Sequence, residues 1–175
     1  MACGNARLSP ANSLVLGTIQ IMIGIFEVFM WYYLLVLYMG QIKGVFGKYE
    51  PLTYKTGCAL WGIFPITSGA IVIRATKYHT QNLISSALFL NIFCIITTII
   101  AIVLTAIELA SFKSVSYRNY GQAKLGREVS RVLIPFYILE IVIALMYTIY
   151  TCLNLGQTHE ESLTSVVEED DLPNV

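Results

Sequence analysis

Residues 83–107 read LISSALFLNIFCIITTIIAIVLTAI, 25 consecutive positions without one formally charged side chain. A helix that crosses the hydrocarbon of a bilayer needs about 20 predominantly apolar residues. This stretch therefore predicts a transmembrane helix, and its neighbours follow the same rule. Residues 57–73 are also free of charge, while 14–39 and 132–153 carry one charged side chain each, Glu27 and Glu140. Four such runs predict an all-α polytopic membrane protein, a four-helix transmembrane bundle. Strands fail on physical grounds, because backbone amides in hydrocarbon must be satisfied within the protein and only helices or closed barrels achieve this. Barrel strands would alternate over about ten residues, and these runs are unbroken.

Composition points the same way. Of 175 residues, 56% are hydrophobic and 13% charged, against about 25% charged in soluble domains; the mean hydropathy is +0.67. These values exclude a soluble enzyme, a nucleic-acid reader and a disulfide-stapled secreted module. The net charge is zero, but the signs are segregated: six acids and no Lys or Arg lie beyond Leu153, while Lys113, Arg118, Lys124, Arg127 and Arg131 crowd the last loop. No basic stripe interleaved with aromatics marks a nucleic-acid partner. The first run exceeds the roughly 7–15 residues of a signal-peptide core and lacks a small-residue cleavage site, so it reads as a retained helix.

The expected organisation is a cytoplasmic arm (1–13), span one (14–39), an outer loop (40–56), span two (57–76) and an inner turn (77–82). Span three (83–107), a second outer loop (108–131), span four (132–153) and an acidic tail (154–175) complete it. The tail has no aromatic residue and too little apolar surface to fold, so disorder is expected.

Small and polar residues recur at helical spacing. Span one has Gly17, Gln20, Gly24 and Glu27; span two has Gly62, Pro65 and Gly69. Span three has Asn91, Cys94, Thr98, Ala101 and Thr105; span four has Glu140, Ala144, Tyr147 and Thr151. Steps of three and four place each set on one face. Lipid tails are as apolar as leucine, so small residues and cross-helix hydrogen bonds drive association in the membrane. The four faces are expected to converge on one inward seam. Gly17/Gly24 and Gly62/Gly69 predict left-handed crossings near +20°. Glycine packing leaves little room for water, so a pore would need several copies.

Glu27 and Glu140 need partners, because an ionised carboxylate at mid-membrane costs about 2.5–3.5 kcal/mol or more. No Lys, Arg or His lies inside the uncharged runs. Each Glu stands 13 residues from an inner helix end, at Leu14 and Leu153, which is roughly 20 Å along the axis for both. The two are expected to lie level and to share a proton, one donating a hydrogen bond to the other or to Gln20. Structural glue is one reading of the pair; a cation site or proton relay, and a docking point for another subunit's basic or polar residue, are the functional readings.

Four ordered segments resemble the membrane-spanning four-domains family, subfamily A, which includes a B-cell surface antigen targeted by therapeutic antibodies and the beta subunit of the high-affinity IgE receptor. They are Leu16-Gly17-Thr18-Ile19-Gln20-Ile21-Met22-Ile23-Gly24; Trp61-Gly62 with Ser68-Gly69; Ser85, Ser86 and Asn91; and Leu139-Glu140 with Ile143-Ala144. The short arms and Tyr117-Arg118-Asn119-Tyr120-Gly121 narrow the resemblance within the family. It implies a tetraspan with both termini cytoplasmic, at the plasma membrane, assembling as a homo- or hetero-oligomer. It implies a non-enzymatic role in a receptor or signalling complex, or alternatively an oligomeric cation (calcium) channel or a regulator of calcium entry. Three features depart from the family: Arg74-Ala75-Thr76-Lys77 ends span two without an acid, no cysteine lies in the last loop, and no tyrosine activation motif is recognisable. The inner segments hold three basic residues and the outer loops eight, so the positive-inside rule taken alone favours the opposite orientation.

Smaller features complete the reading. Cys3 and Cys152 near the inner face are candidate lipidation sites. Ser165, ahead of Glu168, Glu169, Asp170 and Asp171, is a candidate phosphorylation site. Trp31, Tyr32, Tyr33 and Tyr38, with Tyr49 and Tyr54, suit an aromatic belt. No clustered Cys/His spacing suggests a metal, and no cofactor is expected.

Overall fold

The computed structural model describes residues 10–39, 52–78, 80–111 and 120–170. Helix α1 runs from Pro10 to Met39 and starts on a proline, whose fixed φ and missing N–H suit a first helical turn. A short helix α2, Leu52–Thr56, leads through Gly57 into a 3₁₀ turn, Cys58–Gly62. Gly57 has φ 63° and ψ 27°, a left-handed conformation that costs an L side chain roughly 1–2 kcal/mol. Helix α3 follows at Ile63–Tyr78, α4 at Gln81–Ser111 and α5 at Tyr120–Asp170. Four stretches are long and apolar enough to cross a membrane: Pro10–Leu37, Cys58–Tyr78, Gln81–Ala110 and Lys124–Asn154. Among the described residues there is no strand.

Helix α1 packs on α3, α3 on α4, α4 on α5, and α5 returns to α1, closing a four-helix ring. Glycine makes the tightest contact. A Cβ on Gly17 would stand 2.9 Å from the carbonyl oxygen of Gly69, and one on Gly62 would stand 2.6 Å from that of Gly24. The order of these pairs, low number against high, shows α1 and α3 antiparallel. Phe26 stacks on Phe136 across α1 and α5, with ring centroids 4.1 Å apart. Phe64 meets Phe93 edge-on across α3 and α4, at 5.0 Å. The outside is apolar: Met22, Phe29 and Phe89 are 65%, 68% and 69% exposed, a surface suited to acyl chains and unsuited to water.

The helices extend past the sequence-based boundaries. The segment 108–131 expected as an outer loop contributes a last turn to α4 and the opening turns of α5, where Gly126, Val129 and Ser130 are buried. The segment 40–56, expected as the first outer loop, contains α2. The acidic segment expected to be disordered continues α5 as helix to Asp170. Elongating an existing helix avoids the unfavourable nucleation step, and Glu and Leu are good helix formers; composition alone registers neither. Pro135 sits inside α5, where it removes one backbone hydrogen bond, a loss that membrane helices tolerate when neighbours compensate.

Candidate functional site

The small and polar faces meet inside the ring as a ladder of buried polar side chains. Gln20, Glu27, Asn91, Thr98 and Glu140 are all between 0% and 4% exposed. On the lowest rung Gln20 Nε2 donates to Asn91 Oδ1 at 2.7 Å, joining α1 to α4. Asn91 Nδ2 donates in turn to the Ala87 carbonyl at 2.7 Å. Seven residues on, about 10 Å along the axis, the carboxyls of Glu27 and Glu140 hydrogen-bond each other across α1 and α5. Glu140 also bonds Thr98 on α4. Gly62 makes room for this rung, because a Cβ there would lie 2.8 Å from Glu27 Cβ and 3.1 Å from its Oε2. Gln20 therefore pairs with Asn91 and not with either carboxyl.

A third rung escaped the sequence reading. Glu108 is 2% exposed and accepts hydrogen bonds from the backbone N–H and hydroxyl of Thr53 and, at 3.1 Å, from the hydroxyl of Ser130. It pins α2 over the end of the bundle opposite the α3–α4 connection. The uncharged run of span three ends at Ile107, one residue before Glu108. The signal was present: Glu108 continues the alternating spacing of Asn91, Cys94, Thr98, Ala101 and Thr105.

Some polar atoms on the ladder lack partners. Gln20 Oε1, Glu27 Oε1, Ser68 Oγ, Tyr137 OH and Glu140 Oε1 are buried without a hydrogen bond. Buried polar groups without a protein partner are few in native proteins and are met by ordered water, held under strain or kept for a functional demand. Among the described residues no three His, Cys, Asp or Glu side chains come together as a metal site. Cys58 and Cys94 are buried free thiols and Cys152 is exposed. Cys3 lies outside the described residues, as does the side chain of Ser165.

Four membrane-length helices closed round a polar ladder define a tetraspan membrane protein. The chain belongs to the CD20-like family, whose model matches residues 15–131. Three curated relatives are similar over most of their length. The chain is 67% identical to Homo sapiens membrane-spanning 4-domains subfamily A member 13 over 148 residues, covering 85% of this chain and 97% of that one. It is 61% identical to the Mus musculus protein of the same name over 152 residues, 87% and 75% of the two chains. The Bos taurus protein of that name is 60% identical over 148 residues, 85% and 97%. The family is one of membrane proteins.

Proposed function

We propose that the chain is a non-enzymatic tetraspan subunit of a multimeric membrane receptor or signal-transduction complex, resident in the plasma membrane with both termini cytoplasmic. One observation carries this reading. Polar side chains of α1, α4 and α5 bond one another inside a single bundle, and glycine contact seals α3 against α1. Such a bundle is a solid element that meets other molecules through its exterior. That exterior is large apolar side chains, and other membrane-spanning helices can pack against it. Cys152, exposed near the end of the membrane-length stretch Lys124–Asn154, and Cys3 are sites where an acyl chain would strengthen anchoring. Phosphate on Ser165 would add about −1.5 to −2 charge to the acidic end of the chain. Native mass spectrometry of protein released gently from its own membrane tests the proposal. Stoichiometric homo- or hetero-oligomers support it; recovery solely as a monomer contradicts it.

A second reading is an oligomeric cation channel or a regulator of calcium entry. It draws on the free Oε1 atoms of Glu27 and Glu140 and the Tyr137 hydroxyl, oxygens facing the middle of the bundle without partners. Purified protein in liposomes separates the two readings. Cation flux that is lost in Glu27→Gln would favour the channel; silent liposomes would remove it.

A further inference from the structure

We infer that the groove between α3 and α4, beside their short connection, binds one anionic glycerophospholipid. The groove has a volume of about 680 Å³ and is lined by Ile71, Asn82, Ser85, Ser86, Phe89 and Leu90, within the roughly 300–1,000 Å³ of small-molecule sites. Its lining is divided along the membrane normal. Asn82, Ser85 and Ser86 stand in the first two turns of α4, and Phe89 and Leu90 in the turn below. On α4 the polar residues of the ladder face inward and are buried, whereas Asn82, Ser85 and Ser86 face outward and are exposed. Polar groups at the end of a membrane span with apolar groups beneath them match an amphiphile, headgroup up and acyl chain down. Phe89 lies eight residues from Gln81, about 12 Å into the membrane.

Charge selects the headgroup. Ile71, Arg74 and Tyr78 form one stripe of α3 running from the groove to its open end. Lys77 bends its ammonium over the Tyr78 ring, 5.6 Å from the centroid, which brings a second cation to that stripe. No Asp or Glu occurs between residues 57 and 107, and among the described residues neither Arg74 nor Lys77 forms an ion pair. Two cations at the headgroup level without a neighbouring acid on their own hairpin attract anionic lipid, and each basic side chain near such a surface contributes measurably. Ser86 donates to the Asn82 carbonyl at 2.8 Å, so its oxygen is left as an acceptor. The hydroxyl of Ser85 is free to donate to a phosphate oxygen. This inference stands apart from the receptor and channel readings.

The test uses the full chain in detergent exchanged against equal amounts of phosphatidylserine and phosphatidylcholine with identical acyl chains, and native mass spectrometry to count retained lipid. The expected result is one phospholipid per chain with about a tenfold preference for phosphatidylserine, the equivalent of about 1.4 kcal/mol. Arg74→Gln with Lys77→Gln should erase the preference, and Lys124→Gln, at the other end of the bundle, should leave it intact. Ser85→Trp, which fills the polar end of the groove without changing charge, should lower retention of both lipids. All four side chains are exposed, so the helical fold tolerates these changes. Equal retention of the two lipids, a preference unaffected by the double variant, or retention unaffected by Ser85→Trp would overturn the inference. So would lipid-free dimers that fall apart in the double variant, because the cations would then be holding an acidic segment of a second copy.

Discussion

Gly62→Ala probes the close glycine contact between α1 and α3. The added Cβ would stand 2.6 Å from the Gly24 carbonyl oxygen, 2.8 Å from Glu27 Cβ and 3.1 Å from Glu27 Oε2. Carbon and oxygen ordinarily approach to about 3.3 Å, so α1 and α3 must separate by roughly 0.7 Å at this level. The obstacle is backbone, which no rotamer change can relieve. Overpacking a close contact costs about 1–3 kcal/mol, and the helical gain of alanine over glycine returns roughly 0.5–1 kcal/mol. The expected net destabilisation is about 1–2 kcal/mol, read from reversible unfolding in mixed micelles. Separation of the helices also strains the Glu27–Glu140 rung, so the loss should fall toward the upper end. Gly24→Ala meets the same contact from the other side. The double variant should therefore cost about 1 kcal/mol less than the sum of the singles, within the coupling seen for touching residues. Ile63→Ala, on the lipid-facing side of α3 at 49% exposure, serves as the control and should change stability little. A neutral Gly62→Ala, or strict additivity with Gly24→Ala, would refute the glycine-sealed seam.

Glu27→Leu strips Glu140 of its carboxyl partner and should destabilise the bundle by about 1–3 kcal/mol, whereas Glu27→Gln keeps a hydrogen-bonding group and should unfold near the parent; the same unfolding titration compares them. Glu108→Ala orphans the Thr53 N–H and the Ser130 hydroxyl, at a cost of about 1–3 kcal/mol. Its signature is local, faster hydrogen exchange at Thr53 with little change at Gln20 and Asn91. Gly57→Ala forces an L side chain to a φ of 63° and should cost about 1–2 kcal/mol, visible as a lowered unfolding midpoint. Gln20→Leu leaves Asn91 Oδ1 without its donor and should weaken the α1–α4 contact, measured as a reduced distance-constrained population between labels on those helices.

Much of the fold was legible because hydrocarbon leaves few choices. Residues 83–107 carry no charge and can only be helix, and Gly17, Gln20, Gly24 and Glu27 declare one face by spacing alone. Spacing does not say which rung pairs with which. Gln20 could have reached a carboxyl, and the axial offset between α1 and α4 hands it to Asn91 instead. Glu108 falls just outside the uncharged run, because a charged residue ordinarily marks a helix end, although a buried acid with three donors satisfies the same physics as a buried amide. The family resemblance groups Ser85 and Ser86 with Asn91 as one polar pattern. The helix turns them to the opposite side, out of the ladder and into the groove. The acidic end of the chain read as disorder because composition carries no record of the long helix feeding into it.

Spin-label oxygen accessibility along α4 tests the inward ladder most directly, since dissolved oxygen concentrates in the acyl-chain region. Labels at Phe89, Ile92, Ile96, Ile99 and Val103 should report high accessibility. Labels at Asn91, Cys94, Thr98, Ala101 and Thr105 should report low accessibility, with a period near 3.6 residues. A flat profile, or maxima at Asn91 and Thr98, would place the polar face against lipid and contradict the account.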